Sequence, residues 1–413
     1  MVGLVTGCRA CGGRLSVTMA DLGMQPASNA FLASAQDFAA EQRYPLRAKV
    51  CEVCQLVQID YDVAPHELFG NYVYFSSFSD DWLAHAKAYC AMAKRRFRLD
   101  GRSLVVELAS NDGYLLKNFI GWGVPVLGID PSDTVAAAAE NIGVPTLVEF
   151  FGEALARRLA AEGRQADLIV ANNVLAHVPQ LNDFVAGIAV LLKSEGTVSI
   201  EFPYLLELIK HVEFDTIYHE HYFYFSLRAI EQVFSRHGLR LFDVEQLPTH
   251  GGSLRVFAAH SHRQELGESE LLHLVRAQEN AAGLCSLPVY LEFAGKVEEC
   301  RRSLLDFLAR VRREGKRIAA YGAAAKGNTL LNFCGVTSAD IALVADRNPH
   351  KQSKFLPGTH IPVVSPEAML QTRPDYVLIL PWNLQEEICQ QLRGIRAWGG
   401  RFVTPVPLVR VLP

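Results

Sequence analysis

The chain has 413 residues, half of them hydrophobic and a fifth charged, with a formal charge of −4. That length supports two or three domains with cores of their own, and the charge balance excludes a disordered chain or one that coats nucleic acid. No basic leader opens the sequence, and no uncharged apolar run reaches the roughly 18–20 residues that span a bilayer, which predicts a cytoplasmic protein without membrane contact.

Residues 1–75 are turn-rich (Gly12-Gly13, Gly23, Pro26, Pro45), and their apolar runs are too sparse for a large core, so a staple is expected. Cys8-Arg-Ala-Cys11 and Cys51-Glu-Val-Cys54 supply one: each C-x-x-C presents two sulfurs from a tight turn, and together they complete a tetrahedral site. Zinc is the favoured metal, and four thiolates leave no open position, which makes it structural. Two alternatives are weaker. Separate pairs of buried cysteines would leave the segment unstapled, and a redox C-x-x-C occurs singly at a strand-to-helix junction. The other five of the nine cysteines are scattered in apolar sequence, as buried thiols are.

From Leu104 to His260 strand-like runs alternate with amphipathic helices: Leu104–Leu108, Val126–Asp130, Asp167–Ala171 and Thr197–Glu201, a pattern that predicts a parallel sheet with crossover helices. Ala109-Ser-Asn-Asp-Gly113 follows the first strand and precedes a helix over Tyr114–Phe119, so a ligand belongs at this strand's carboxyl end. One glycine and several polar side chains suit a zwitterionic amino-acid moiety better than a pyrophosphate, which calls for G-x-G-x-x-G. Asp130, ending the second strand, is placed to accept from ribose hydroxyls, a device nicotinamide enzymes share. Further on, Ser226 caps a helix over Leu227–Phe234 that ends at Gly238. Two strands, Leu239–Val244 and Ser253–Ala259, then form an antiparallel edge about a Gly251-Gly252 turn.

Between the last parallel strand and that helix lies Asp215-Thr-Ile-Tyr218-His219-Glu220-His221-Tyr-Phe-Tyr-Phe225. Ionisable groups crowded beside aromatics are costly in a core, so chemistry is expected of them, the alternative being a loop that caps the sheet. H-E-H lacks the spacing of H-E-x-x-H, which disfavours a catalytic zinc. Extended backbone would put Tyr218 and Glu220 on one side and His219 and His221 on the other, whereas a turn would regroup them. After a Glu-rich helical stretch from 264 to 311, a second alternating series runs through Arg317–Tyr321, Ile341–Ala345, Tyr376–Leu380 and Phe402–Pro405. Its first strand leads into Tyr321-Gly-Ala-Ala-Ala-Lys326-Gly-Asn328-Thr329, whose amides and Lys326 could hold a pyrophosphate. A tight turn with a solvated lysine, or a decayed second cofactor site, would read the same way.

Glu107 to Gly113, Gly128-Ile-Asp130 and Ala171-Asn-Asn-Val-Leu-Ala-His177 resemble the motifs of class I S-adenosylmethionine methyltransferases. With the four cysteines, Tyr72-Val-Tyr74-Phe-Ser-Ser77, Tyr218-His-Glu-His221 and the Lys326 loop, the whole chain resembles the sugar C-methyltransferases that build branched deoxysugars for natural products such as antibiotics. The resemblance is closest to C-3′-methyltransferases of dTDP-4-keto-deoxysugars, of the tetronitrose-pathway type. It implies an α/β protein of three parts: a zinc-binding domain (1–75), a Rossmann-like methyltransferase domain (76–262) and a second Rossmann-like domain (263–413) that binds the nucleotide sugar. S-adenosylmethionine would be held by Tyr74, Ser77, Glu107, Ala109, Asn111, Asp112, Asp130, Asn172 and Asn173, although Ala109 stands where glycine is common. His221 would be the base, with Tyr72, His177 and Tyr218 as donors to an enolate oxygen and Glu220 orienting the sugar, while Tyr321, Lys326, Asn328 and Thr329 would line the sugar-nucleotide site. Methylation at C-5′ or at oxygen, a non-catalytic sugar-nucleotide binder and a nicotinamide-dependent oxidoreductase are the competing readings. Both monomer and oligomer remain open.

Overall fold

The computed structural model describes residues 3–64, 76–78 and 80–412. In the N-terminal segment β1 (Gly3–Leu4), β2 (Val17–Gln25), β3 (Tyr44–Val50), β4 (Val57–Ile59) and β5 (Tyr61–Asp62) are short, and β2, β3 and β4 form an antiparallel sheet. Its fourth strand comes from elsewhere: β11 (Phe223–Tyr224) pairs Phe223 with Gln58 and Tyr224 with Val57. The expectation that this segment is too poor in apolar residues to be held by burial is corrected here. Met19, Ala20, Leu22, Leu46, Ala48, Val50, Leu56 and Val57 are buried in a core continuous with that of the rest of the chain, so burial helps to hold this sheet.

The middle of the chain forms a seven-stranded sheet. β6 (Val105–Leu108), β7 (Val126–Ile129), β8 (Thr146–Leu147), β9 (Ala166–Asn172) and β10 (Leu192–Pro203) run parallel, joined on one edge by β12 (Leu239–Leu247) and β13 (Ser253–His260). The order is β12-β13-β10-β9-β6-β7-β8, with β13 inserted antiparallel between β10 and β12. Strand order reverses at β6, where β7 lies on one side and β9 on the other, and the carboxyl ends of β6 and β9 open a crevice suited to a ligand. Both faces of β6 are covered, which is why all four of its residues are buried, Glu107 included.

A third, six-stranded sheet follows, built from β14 (Ile318–Tyr321), β15 (Val344–Ala345), β16 (Val363–Val364), β17 (Tyr376–Ile379), β18 (Arg401–Thr404) and β19 (Arg410–Val411) in the order β16-β15-β14-β17-β18-β19. It too reverses, between β14 and β17. There Gly322, at φ 90°, passes so close to Pro381 that a Cβ would lie 2.4 Å from the proline Cδ. The predicted helical stretch 264–311 is two helices, Glu270–Ala281 and Pro288–Arg313, broken at Gly283 with φ 79°. The helix predicted from Tyr114 begins at Leu116, because Gly113 at φ 76° first turns the chain out of the strand. None of the described helices is long and apolar enough to cross a membrane.

Candidate active site and metal centre

Cys8, Cys11, Cys51 and Cys54 bring their sulfurs within 4.8 Å of one another. The closest pairs, at 3.4 to 3.6 Å, approach the separation of about 3.8 Å that tetrahedral Zn–S bonds of about 2.3 Å require. A Cβ at Gly13 would touch the sulfurs of Cys51 and Cys11 at 2.9 and 3.1 Å, so only glycine leaves the knuckle room to close. The hydrogen bond from Cys54 holds the Cys8 thiol down to about 5, while burial raises that of Cys51 to about 11. Four thiolates so crowded need a cation to neutralise them. The donor set and its spacing fit structural zinc.

At the crevice of the central sheet, Ala109 and Asn111 have φ of 52° and 50° and Gly113 has 76°. Ala109 thus keeps the left-handed conformation that a glycine would adopt at no steric cost. The loop presses on β7, where a Cβ at Gly128 would lie 2.4 Å from Ser110 Oγ. Asp130 accepts from the amides of Asn111 (3.0 Å) and Ser132 (2.9 Å), which fixes its carboxylate at the rim. Asn111 Oδ1 and Asp112 Oδ2 accept from the amides of Ser76 (3.0 Å) and Ser77 (3.1 Å), so these side chains moor the segment that carries Ser77. Tyr72 and Tyr74 lie outside the described residues.

Glu107 is 1% exposed, and burial drives its carboxyl well above the ordinary range. Glu107 Oε2, Ser110 Oγ, Asp112 Oδ1, Asn172 Oδ1 and Asn173 Oδ1 are buried without partners among the described residues. Such orphans are expensive unless a ligand satisfies them. Their clustering at the ends of β6 and β9 suits the amino-acid moiety of S-adenosylmethionine.

The Tyr218–His221 segment forms a turn, with the amide of His221 donating to the Tyr218 carbonyl at 2.9 Å. The alternation expected of an extended loop gives way to a different grouping. Tyr218 Oη lies 3.0 Å from His221 Nε2, and the His221 ring meets that of His177 edge to face at 4.7 Å. His219 and Glu220 turn instead toward the N-terminal sheet, where His219 Nε2 donates to the Pro45 carbonyl (3.3 Å) and Glu220 Oε1 accepts from Asn29 (3.1 Å). The turn is clamped by its neighbours: the Tyr222 amide donates to Ala176 O (2.7 Å), the Tyr222 carbonyl accepts from Ile59 N (3.0 Å), and β11 pairs with β4. Burial lowers His177 and His219 to about 4 and His221 well below 6.5, the last helped by the field of His177, so these rings are neutral at physiological pH. Burial raises Glu220 to about 7. Neutral imidazole beside a phenol is the state in which a base accepts a proton.

The crevice of the third sheet lies against this cluster. Thr329 Oγ1 donates to Ile217 O (3.2 Å), and Trp382 Nε1 donates to Asp215 Oδ2 (2.8 Å). Lys326 Nζ donates to Asn383 Oδ1 (2.7 Å) and sits 4.3 Å from the centre of the Trp382 ring. Its charge depresses the His221 pKa, and in turn it feels the carboxyls of Asp215 and Glu213. Of the other residues expected here, Thr329 is spent on Ile217, Asn328 is buried with its carbonyl groups accepting from Asn332, and Tyr321 points its hydroxyl to Gln391 (3.3 Å). Glu213, Trp382, Asn383, Asn29 and His250 were not anticipated as site residues. Trp382 and Asn383 follow β17 and were in principle findable, because the carboxyl end of the strand beside a reversal is where ligands bind.

Three family models match the chain in succession: a zinc binding domain over residues 8–69, a methyltransferase domain over 82–244 and a C-methyltransferase C-terminal domain over 248–407. Over 408 residues the chain is 35% identical to the C-methyltransferase NovU of Streptomyces niveus, covering 98% of this chain and 96% of that protein. Among solved structures it is similar to the PH0226 protein of Pyrococcus horikoshii OT3, at 15% identity over 47% of this chain and 98% of that one, with a TM-score of 0.38. It is similar also to the magnesium protoporphyrin IX methyltransferase of Synechocystis PCC 6803 with bound SAM, at 16% identity over 48% and 89%, with a TM-score of 0.35.

Proposed function

Because the chain belongs to the S-adenosylmethionine-dependent C-methyltransferase family, we propose that its acceptor is C-3′ of a dTDP-4-keto-deoxysugar, in the biosynthesis of a branched deoxysugar. The observation that carries this reading is the neutral His221–Tyr218–His177 cluster set between two ligand crevices. Carbon is a poor nucleophile until it loses a proton, and a neighbouring ketone makes that proton acidic enough for an imidazole to take. Oxygen methylation needs no such ketone.

In this reading a backbone hydrogen bond at Thr216 holds the His221 ring, leaving Nε2, which meets Tyr218 Oη, as the basic nitrogen. Nε2 takes the C-3′ proton, and electron density moves to the C-4′ oxygen. Tyr218, His177 and Tyr72 are the proposed donors to that oxygen, and Glu220 orients the sugar from the side of Asn29. We assign Lys326 to the same oxygen rather than to the diphosphate, because its charge reaches the proposed base, His221. The diphosphate is assigned to the first-turn amides of the helix Ala325–Cys334. S-adenosylmethionine supplies the electrophilic methyl group, held by Asp130, Glu107 and the Ala109–Gly113 loop, with Asn172 and Asn173 at the β9 end. The protein's part is alignment and exclusion of water.

The test is mass spectrometry of the protein with S-adenosylmethionine and a panel of dTDP-4-keto-deoxysugars, alongside deuterium uptake at C-3′ without cofactor. One added methyl group, with exchange that His221→Ala abolishes, is the expected result. A methyl ether formed without exchange would assign the acceptor to oxygen, and exchange at C-5′ would move the site of methylation.

A further inference from the structure

The tip of the β12–β13 hairpin holds an imidazole that the mechanism above does not use. His250 has φ 57° and ψ 18°, a left-handed conformation costly for a side chain of its size, and is followed by Gly251 at φ 99° and Gly252 at φ 135°. The tip is pinned on both sides. Thr249 Oγ1 donates to Glu201 Oε1 (3.0 Å), the Gly252 carbonyl accepts from Tyr204 N (2.9 Å), and a Cβ on Gly251 would strike Glu213 Oε1 at 2.5 Å and the Trp382 ring at 2.7 Å. The surroundings therefore dictate the conformation, and its result is to hold His250 in the space between the two crevices.

On the donor side the ring meets Asn173, itself left-handed at φ 55°, with Asn173 Nδ2 3.3 Å from His250 Nε2, and the Trp82 ring at 5.6 Å. On the acceptor side it feels the charge of Lys326, and its own charge would act on His221. Among the described residues, Glu201 and His85 also act on it through their charge. The residue as a whole is exposed, but its ring is walled by these elements, and that enclosure lowers it to about 4, so it is neutral. Donation from Asn173 makes Nε2 the acceptor and leaves the proton on Nδ1, which has no partner among the described residues. In-line transfer needs donor and acceptor atoms about 3–3.5 Å apart, so a hydrogen-bond donor anchored to the β9 end and reaching the acceptor side stands where registration is set.

We infer that His250 is a substrate-positioning residue that donates its Nδ1–H to an oxygen of the sugar other than the ketone and so holds the acceptor carbon in line with the methyl donor. This rests on the ketosugar reading above. The experiment compares the full-length wild-type protein with His250→Gly and His250→Asn, measuring kcat and KM for the sugar nucleotide, S-adenosylmethionine affinity by calorimetry, and the thermal midpoint. Glycine relieves the backbone and removes the donor, whereas asparagine tolerates the left-handed turn and keeps one.

The expected result for His250→Gly is a midpoint at or above that of the wild type, cofactor affinity within about twofold, and a fall in kcat/KM for the sugar on the order of 10- to 100-fold, with partial recovery in His250→Asn. Unchanged sugar kinetics in a folded His250→Gly protein would make His250 a turn residue and overturn the inference, as would a loss confined to cofactor affinity. A wild-type protein that neither exchanges nor methylates any ketosugar would overturn the ketosugar reading and this inference together, which separates that failure from one confined to His250.

Discussion

The charge of Lys326 reaches His221, and its assignment to the enolate oxygen can be tested directly. Lys326→Met is expected to lower kcat and cofactor-free C-3′ exchange about 10²–10³-fold, as loss of an oxyanion donor does, while KM for the sugar nucleotide changes little. Steady-state kinetics that showed only a raised KM would return Lys326 to the diphosphate. The neighbouring carboxyls predict a pH signature. Burial, together with Asp215, raises Glu213 to about 8, against an ordinary 4.5. Between those values the native state keeps a proton that the unfolded chain releases, so this contribution to stability is present at low pH and lost as pH rises through about 8.

His177 and His219 act in the opposite sense. Both are held near 4 against 6.5, so their contribution is present above 6.5 and lost as pH falls toward 4. Glu213→Gln is expected to melt several degrees above wild type at pH 8, with the difference closing by pH 5; melting curves that stay parallel over that range would refute the assignment. At this scale the sequence was a good inventory and a poor map. Tyr218, His219, Glu220 and His221 were visible as a cluster, but their sorting depends on a turn stabilised by contacts with Ala176 and Ile59, which spacing does not encode. His250 passed unnoticed beside its two glycines because a single chain gives no sign of what a hairpin tip will face.

At the scale of elements, the four-cysteine knuckle and the reacting turn flank one sheet, since β11 closes the strand set that begins in the zinc segment. One zinc per chain is expected by elemental analysis. Its removal by chelation, or Cys51→Ser, should lower kcat more than tenfold through the β4–β11 pairing while S-adenosylmethionine still binds to the separate central sheet. A stripped protein with full kcat would show the two to be uncoupled. Buried strands such as β6, β9 and β10 were legible from the apolar-rich runs within them. The two-residue strands β8, β16 and β19 were not, since pairing across a sheet rather than local pattern defines them. The apolar residues of the N-terminal segment looked too few because the surface that covers them lies far along the chain.

For the molecule as a whole, the two doubly wound units share a device at their switch points. Asp130 accepts from Asn111 N and Ser132 N, and Asp346 accepts from Ala323 N and Asn348 N, both at 2.8 Å. In the second unit Lys351 donates to Ala323 O (2.9 Å) and stands 3.8 Å from the Asp346 carboxylate, which fills the rim with the protein's own cation. S-adenosylmethionine should therefore bind with a stoichiometry of one. At about 100 times its Kd it should stabilise the protein by about 2.7 kcal/mol, and Asp130→Asn should weaken it at least tenfold. Two binding events by calorimetry would contradict this. The tandem architecture was readable from two alternating series; the proposed division of the crevices between donor and acceptor rests on loop chemistry, Ser110-Asn-Asp in one and Lys326 in the other.

The borrowed strand also has a history in time. On the ribosome β2, β3 and β4 emerge early, but the edge of β4 has no partner until Phe223 and Tyr224 are made. At roughly 5–20 residues per second that is a wait on the order of ten to thirty seconds with a sheet edge unpaired. During it, a metal ion captured at the knuckle would clasp residues 8–54 alongside the β2–β3 pairing, so zinc supplied during synthesis is expected to raise the yield of folded enzyme above that from zinc added afterwards.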